Sequence, residues 1–260
     1  MLLPFYQVDA FTDRLFGGNP AGVCPLDQWL PDDTMQKIAM ENNLSETAFF
    51  IKENDGYRIR WFTPKVEVNL CGHATLASAH VIYNHLGCSC DTISFQSRSG
   101  ILNVSKEGEL LILDFPANVP QRAALPNDFV QALNITPIQC HRGKEDYLLL
   151  YKSQQEIEAL IPDFRRLEKT DARAVIVTAP GDTCDFVSRF FAPRVGVDED
   201  PVTGSAHTVL IPYWAEKLGK TEMNARQLSR RGGILFCRLK GDRVDIGGKA
   251  ITYLKGEISL

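Results

Sequence analysis

The feature that most constrains the fold of this chain is an internal repeat. The nonapeptide RWFTPKVEV, which begins at Arg60, returns as RFFAPRVGV from Arg189. Five of the nine positions are identical, and the copies lie 129 residues apart in a chain of 260. A repeat at half the chain length indicates two copies of one domain, since each copy is long enough for its own core. We predict domains at 1–117 and 118–260, a Pro-rich linker at 114–126, and a C-terminal strand that can return to the first domain.

The register of the repeat changes once and then holds. When Gly72 is aligned with Gly204 the offset is 132, so the second copy carries three extra residues. Gly87 and Gly219 fall at the same offset, and the segments between the paired glycines are apolar almost all around a helical wheel. Such segments are typical of a helix surrounded by protein, and a glycine at the end suits a left-handed C-cap. Each domain is thus predicted to contain one buried helix.

Short segments rich in β-branched and aromatic residues surround both predicted helices. They alternate partly in polarity and are bounded by turn residues, as strands are. Three further segments have helical spacing, the first with Asp32 or Asp33 as its N-cap. We predict an α+β fold of two pseudosymmetric domains. The strand segments are PFYQVDAF, ETAFFI, YRIRWF, TISFQS, ILNVS, LLILDF, YLLLY, AVIVTA, FVSRFF, ILFCRL and RVDIGG, and the helical ones are DDTMQKIAMEN, PNDFVQALN and QQEIEALI.

Composition excludes several classes of function. The net charge of −4 at neutral pH gives no electrostatic reason to bind nucleic acid or an anionic membrane. No apolar run approaches the ~20 residues of a membrane span, and the first residues lack a signal-peptide pattern. Seven irregularly spaced cysteines indicate free thiols in a reducing compartment. We expect a cytoplasmic protein with no nucleic-acid or membrane partner.

Gly72 and Gly204 each stand where a buried helix is predicted to begin. The first turn of a helix presents free N–H groups and the positive end of the helix dipole, which favours a bound carboxylate. An isolated glycine more often only permits a tight turn. Here the two glycines recur at equivalent positions beside polar residues, His73 and Ser205, and this favours a binding role.

Several motifs, in order along nearly the whole chain, resemble those of the phenazine-biosynthesis isomerases, the PhzF-like family. The resemblance implies the diaminopimelate-epimerase-like fold, in which each of two pseudosymmetric domains wraps a sheet around a central helix and the active site lies between them. It also implies an isomerase without a cofactor, and a homodimer. The motifs are GGNPAGV, NLSETAFF, RWFTPKVEVNLCGHATLASAH, RFFAPRVGVDEDPVTGSAH and SRRGG.

The resemblance also implies roles for individual residues. Glu46 corresponds to the family's acid/base glutamate, His73 to its histidine beside the first glycine, and Asp200 to its aspartate. The glycine amides would hold the substrate carboxylate. The positions predicted to bind substrate are Gly72, Gly204, Ser205, Asn19 and Cys71.

The residues before the two glycines separate two kinds of chemistry. Fold relatives that racemise amino acids use two opposed cysteines, one at the start of each central helix. This chain has Cys71 at the first position but Thr203 at the second, and a threonine hydroxyl does not titrate in a useful range. A two-thiol racemase is therefore not favoured. The phenazine enzyme has no thiol at the Cys71 position, so the substrate stays open.

Each predicted site residue also has a structural alternative. Glu46 could be a solvated glutamate at a strand edge, although an apolar run after it would desolvate it in part, and His73 could be a buried structural histidine. Asp200 precedes a proline and could act in a turn or cap. Asn19 could shape the GGNPAG loop, which lacks the lysine and the hydroxyl residue of a phosphate-binding loop.

No metal site is predicted. The residues His80, His85, Cys88 and Cys90 are close in sequence, as zinc ligands often are. Histidines five residues apart diverge around a helix, however, and Cys-x-Cys is not a usual zinc spacing.

The sequence favours a cofactor-independent isomerase of a small carboxylate-bearing metabolite. In this hypothesis Glu46 moves a proton between two carbons of the substrate, helped by His73 and Asp200, while the helix N-termini stabilise the developing anion. The first alternative is an epimerase, racemase or hydroxyproline-type dehydratase that uses Cys71 as its single thiol. The second is a non-catalytic small-molecule-binding protein. Residue spacing does not identify the substrate.

Overall fold

The computed structural model describes residues 1–260. Strands dominate, and two long helices stand among them. The elements are β1 (Leu2–Ala10), β2 (Asn19–Leu26), α1 (Asp32–Asn42), β3 (Glu46–Glu53), β4 (Gly56–Phe62), β5 (Glu67–Val68), α2 (Gly72–Asn84), β6 (Thr92–Ser97), β7 (Gly100–Glu107), β8 (Leu110–Pro116), β9 (Gln121–Arg122), α3 (Asn127–Ala132), β10 (Gln139–Arg142), β11 (Asp146–Leu150), α4 (Gln154–Glu158), α5 (Phe164–Leu167), β12 (Ala174–Pro180), β13 (Phe186–Phe191), a 3₁₀ turn (Pro193–Val195), α6 (Gly204–Leu218), β14 (Glu222–Gln227), β15 (Gly233–Lys240), β16 (Arg243–Gly248) and β17 (Ala250–Ser259).

The chain divides into two compact units. The first consists of Met1–Asp114 together with Gly247–Leu260, and the second of Phe115–Ile246. Strand β17 runs antiparallel to β1 over its whole length, from Ala250 opposite Ala10 to Ser259 opposite Leu2. The C-terminal segment therefore belongs to the first unit. No helix is long and apolar enough to cross a membrane.

The first unit is organised around α2. Strand β2 pairs in parallel with β3, β3 antiparallel with β4, and β4 in parallel with β6. Strands β6, β7 and β8 then continue antiparallel. Ten of the thirteen residues of α2 are buried, which confirms the prediction of a helix surrounded by protein.

The second unit repeats this order around α6. Strand β11 pairs in parallel with β12, β12 antiparallel with β13, β13 in parallel with β14, and β14 antiparallel with β15. Ten of the fifteen residues of α6 are buried, and the helix continues through Pro212. The two units thus share one pattern of strand pairing beside one apolar helix. The predicted α+β fold with an internal duplication is confirmed.

The arginine that begins each nonapeptide forms the same kind of ion pair in both units. In the first, Nε and Nη2 of Arg60 each donate to a different oxygen of Glu67, at 2.8 Å. In the second, the same atoms of Arg189 donate to Glu199, at 2.7 and 3.0 Å. Two-pronged pairs of this kind fix the orientation of both side chains. The match at Glu199 shows that the extra residues of the second copy precede it, where the 3₁₀ turn ends at Gly196 in a left-handed conformation.

Helix ends differ in detail from the sequence predictions. Helix α1 has Pro31 as its N-cap, so the prediction that Asp32 or Asp33 caps it is wrong. Both aspartates lie in the first turn instead, where the helix dipole favours negative charge. Gly219 is the left-handed C-cap of α6, as predicted, whereas α2 is capped by His85.

Every segment predicted as a strand is a strand, but four strands of four or more residues are not among the strand segments given above. They are β2, β10, β14 and β17. Strand β2 has two prolines and a glycine in NPAGVCPL, residues that the sequence analysis took for a loop. The expectation of free thiols is also wrong at two positions, because Cys88 and Cys90 form a disulfide, while the other five cysteines are free.

Candidate active site

Four of the predicted site residues meet near the start of α2. Glu46 is the first residue of β3, and Asn19 is the first residue of β2, its parallel neighbour, in which Ala21 lies opposite Glu46. Cys71 is the N-cap of α2, and His73 is the second residue of the helix. Because β2 and β3 are parallel, their first residues lie at the same edge of the sheet.

His73 is the centre of this group. Its Nε2 lies 3.1 Å from Oε2 of Glu46, and its Nδ1 lies 3.2 Å from Nδ2 of Asn19. The Sγ of Cys71 lies 3.5 Å from Nδ1 and 4.0 Å from Nε2. The Asn19 amide group is therefore within hydrogen-bond distance of Nδ1, and Nε2 faces Glu46. The His73 imidazole is therefore in contact with a carboxylate, an amide and a thiol.

The Glu46 carboxylate is close to His73 but not aligned with it as in a hydrogen bond. Its Oε2 is buried and accepts no hydrogen bond, although the ion-pair distance to His73 is 3.1 Å. The side chain as a whole is 17% exposed. A buried carboxylate oxygen with unused acceptor capacity is a good position from which to take a proton.

Burial and charge determine the protonation of this group. Burial opposes the charged form of His73, but Cys71, when it is a thiolate, and the Glu46 carboxylate favour it and raise the pKa of His73 above its usual range. Burial and the Glu46 charge raise the pKa of Cys71 to about 11. The thiol is therefore protonated at neutral pH, and Glu46 is the anion that stabilises an imidazolium at His73.

The same three side chains place their donor atoms within 4.8 Å of one another, as metal ligands do. A metal ion binds one nitrogen of an imidazole, in the plane of the ring. Here Glu46 faces Nε2, whereas Cys71 lies closer to Nδ1. The residues present therefore fit a chain of proton donors and acceptors better than a shared ion.

The sequence cluster near the end of α2 has other contacts. Nε2 of His80 and Nε2 of His85 both lie within hydrogen-bond distance of the Thr252 hydroxyl, at 2.9 and 2.8 Å. The two cysteines of the cluster, Cys88 and Cys90, are bonded to each other. These side chains fix β17 against α2 and the turn after it.

A second polar group lies at the start of α6. The Thr203 hydroxyl, on the N-cap residue, donates to Oδ2 of Asp200 at 2.5 Å. The side chain of Gln227, which is fully buried at the end of β14, bonds to both Asp200 and Thr203. Ser205 is the second residue of α6 and Gly204 the first.

Both central helices begin in the same way. The Cys71 carbonyl accepts hydrogen bonds from the Thr75 amide at 3.2 Å and from the Thr75 hydroxyl at 2.6 Å. The Thr203 carbonyl accepts from Nδ1 of His207 at 2.8 Å, and His207 is the counterpart of Thr75 at the offset of 132. No side chain of either N-cap residue bonds to the first-turn amides. Both carbonyls are held, and neither cap competes with an anion for those amides.

Two groups of predicted residues are thus brought together. Glu46, Cys71, His73 and Asn19 form the first, in the first unit, and Asp200 lies with Gly204 and Ser205 in the second. Gln227 was missed by the sequence analysis. It is the third buried residue in the alternating segment EMNARQ, after Met223 and Ala225, and a polar residue in that pattern was the available signal.

Comparison with known proteins assigns the chain to a family. Residues 8–256 match the family model described as phenazine biosynthesis-like protein. The chain belongs to the PhzF family. Its resemblance to this family, inferred from the motifs, is therefore confirmed.

Relatives of high identity cover the whole chain. An uncharacterized isomerase of Pseudomonas aeruginosa is 53% identical over 260 residues, which is 100% of both chains. A crystal structure of a PhzF-family protein from Enterococcus faecalis is 47% identical and covers 100% of both chains with a TM-score of 0.98. A probable proline racemase from Agrobacterium radiobacter is only 9% identical, over 99% of this chain and 93% of that one, with a TM-score of 0.67. The racemase shows the shared epimerase-like fold alone.

The protein is an isomerase of the PhzF family.

Proposed function

We propose that this PhzF-family protein is a cofactor-independent isomerase of a small carboxylate-bearing metabolite, with Glu46 as the residue that moves the proton. The observation that carries the proposal is the state of the Glu46 carboxylate. Its Oε2 is buried, accepts no hydrogen bond and lies 3.1 Å from Nε2 of His73. An acceptor in this position can take a proton from a bound substrate without first giving up a partner.

The reaction begins with the loss of a proton from carbon. Glu46 takes a C–H proton, and the electron pair left behind spreads into the conjugated system of the substrate. The protonated Glu46 then gives the proton to another carbon of that system, which shifts the double bond and restores the carboxylate. No external acid, oxidant or reductant is needed, and a well-placed acid/base group contributes roughly 10²- to 10⁴-fold to such a step.

Stabilisation of the developing anion is the second requirement. We assign this role to the first-turn amides at Gly72 and Gly204, which no cap side chain occupies, and to the positive charge of His73. Asn19 holds the ring of His73 in place. Asp200 and Ser205 are proposed to bind or protonate a polar substituent of the substrate.

A single-thiol reaction is the second candidate, and the position of Cys71 favours it. Sγ lies 3.5 Å from Nδ1 of His73, so the thiol has a neighbour that can exchange a proton with it. The raised pKa of Cys71, about 11, makes the thiol a proton donor at neutral pH and not a base. An epimerase or dehydratase with a single thiol would need Cys71 to act both as a base and as a proton donor. We therefore place Cys71 in the wall of the substrate pocket.

The proposal is tested with a panel of small carboxylates incubated with the protein in deuterated water. For the isomerase, the panel contains acids with a C–H bond next to a conjugated system; for the thiol alternative, it contains L-proline and trans-4-hydroxy-L-proline. Proton NMR detects loss or movement of signals. We expect turnover of a conjugated acid, and a loss of that turnover in Glu46→Gln.

The matched control is Glu53→Gln, the same change at the other end of β3, where Glu53 pairs with Arg58 at the surface. This variant should keep the wild-type rate. Turnover of the proline derivatives alone would favour the thiol reaction. Carboxylate binding without turnover of any acid would favour a non-catalytic binding protein.

A further inference from the structure

A chain of hydrogen bonds joins Gln227, Thr203 and Asp200. Oε1 of Gln227 accepts from the Thr203 amide at 2.9 Å. Nε2 of Gln227 donates to the Asp200 carbonyl at 2.8 Å and to the Thr203 hydroxyl at 3.1 Å. The Thr203 hydroxyl donates to Oδ2 of Asp200 at 2.5 Å. Gln227 is fully buried, so its amide has no access to water as a substitute partner.

The backbone fixes the direction of this chain. A backbone N–H can only donate and a carbonyl can only accept, so the Gln227 amide has one allowed orientation. The opposite orientation would place oxygen against oxygen at Asp200 and N–H against N–H at Thr203. Nε2 therefore donates to the Thr203 hydroxyl. The single proton of that hydroxyl is left for Asp200, whose Oδ2 must then be an acceptor.

We propose that Gln227 and Thr203 are positioning residues, which hold the Asp200 carboxyl group in one orientation for the reaction. The inference rests on the proposed role of Asp200 in the isomerase. It also explains why the two helix starts differ. Where the first repeat has Cys71, the second has Thr203, because a thiol is a weak hydrogen-bond donor and would hold the carboxylate less firmly.

The neighbouring backbone is held from the same segment. The hydroxyl of Ser229 donates to the Pro201 carbonyl at 2.9 Å and accepts from the Gly232 amide at 3.0 Å. The carbonyls of Asp200 and Pro201 are therefore each bonded by a side chain from the end of β14 or just after it. Two side chains therefore hold the Asp-Pro turn, and the Thr203 hydroxyl orients the side-chain carboxyl group of Asp200.

Four variants test the proposal. Thr203→Val is almost isosteric but lacks the hydroxyl, whereas Thr203→Ser keeps it. Gln227→Glu keeps the shape but loses both donors on Nε2. The rate measured is conversion of whichever acid of the panel above is turned over, followed by proton NMR. We expect Thr203→Val and Gln227→Glu to lower kcat at least about tenfold with KM within about threefold, and Thr203→Ser to stay within about threefold of wild type.

The fourth variant, Thr170→Val, is the matched control. Thr170 is buried like Thr203 and its hydroxyl bonds to the Leu167 carbonyl at 2.7 Å, but it does not contact Asp200. It should keep the wild-type kcat, even if its midpoint of thermal unfolding falls. A wild-type kcat in Thr203→Val, or an equal loss in Thr203→Ser, would overturn the proposal. These two variants decide the question even if Gln227→Glu does not fold.

A second measurement does not depend on turnover. In the wild type both Nε2 protons of Gln227 are hydrogen bonded, so NMR should find both in slow exchange with solvent. In Thr203→Val only the proton bonded to the Asp200 carbonyl should stay slow. This result, combined with no turnover of any acid, would reject the proposed function and keep the hydrogen-bond chain. Fast exchange of both protons in the wild type would reject the chain itself.

Discussion

Oε2 of Glu46 and Nε2 of His73 lie 3.1 Å apart, and the carboxylate oxygen accepts no hydrogen bond. The two groups are thus close enough for a strong charge interaction, while the lone pairs of the carboxylate remain available. In water such an oxygen would be solvated, and proton transfer to it would first require loss of that solvation. This relationship separates the role of Glu46 from that of Cys71, which is protonated at neutral pH.

The first prediction concerns the ranking of these two residues. Glu46→Gln keeps the size of the side chain but removes the base, so kcat should fall by about 10²- to 10⁴-fold. Cys71→Ala should cost less than about tenfold, because the sulfur only lines the pocket. Steady-state kinetics with the acid identified from the panel measures both. A larger loss of kcat in Cys71→Ala than in Glu46→Gln would show that the thiol, and not Glu46, moves the proton.

The second prediction concerns the repeated ion pairs. Arg189 bonds to Glu199 and also donates from Nη1 to the carbonyls of Ile157 and Leu160, at 3.1 and 2.9 Å. A lysine cannot make this set of contacts, so Arg189→Lys leaves the Leu160 carbonyl without its donor, whereas the Ile157 carbonyl still accepts from the Leu160 amide. We expect the free energy of unfolding to fall by about 2–4 kcal/mol, as measured by urea denaturation.

Arg60→Lys is the matched control, since Arg60 has the same place in the first repeat. Its second partner is Asp32, whose side chain is 73% exposed, and exposed ion pairs contribute little. The loss of stability should be smaller than for Arg189→Lys. Equal losses would show that the carbonyl contacts of Arg189 add nothing.

The third prediction concerns acid stability and His207. Burial lowers the pKa of His207 to about 4, against about 6.5 in an unfolded chain. Between these values the unfolded state binds more protons, so this histidine lowers the free energy of unfolding as the pH falls from 6.5 towards 4. Above pH 6.5 the histidine is neutral in both states, and this loss of stability does not occur. The loss by pH 4.5 is about 2–3 kcal/mol.

The variant His207→Thr tests this linkage, because Thr75 has the equivalent position in α2 and its hydroxyl bonds to the equivalent carbonyl, that of Cys71. Chemical denaturation at pH 7 and pH 4.5 should show a smaller difference in stability for the variant than for the wild type. His80, whose pKa burial also lowers to about 4, stays in both proteins and cancels. Equal differences in the two proteins would mean that His207 is not the group responsible.

The duplication and most of the strands can be predicted from the sequence, because a repeated motif and a short apolar segment are both visible without knowledge of the fold. Arg60 and Arg189 each begin a copy of one motif, and the segments β3 and β12 are short apolar runs rich in β-branched or aromatic residues, which are typical of a strand buried on both faces. Family resemblance supplied Glu46, His73 and Asp200. The structure added the contacts that join Glu46 to His73.

What the sequence could not supply depends on residues far apart in the chain. Gln227 reaches Thr203 from the end of β14, which pairs in parallel with β13, and no local pattern encodes that pairing. Strand β17 is largely exposed, so it lacks the alternation that identifies a half-buried strand. The Cys88–Cys90 bond does not follow from the sequence, because an odd number of irregularly spaced cysteines favours free thiols.

The last prediction concerns the fate of the proton. If Glu46 carries a proton between two carbons of one substrate, turnover in deuterated water should place deuterium at the accepting carbon, to an extent set by exchange of the carboxyl proton. The buried Oε2 should slow that exchange, so part of the original hydrogen should survive in the product. A two-base racemase instead returns a solvent-derived hydrogen to the carbon that lost one, with inversion. Mass spectrometry and NMR of the product after a single turnover distinguish the two. Label confined to the original carbon, with its configuration inverted, would reject the isomerase. Label at a different carbon, or carry-over of the substrate's own hydrogen to it, is expected if Glu46 is a single base acting on one face.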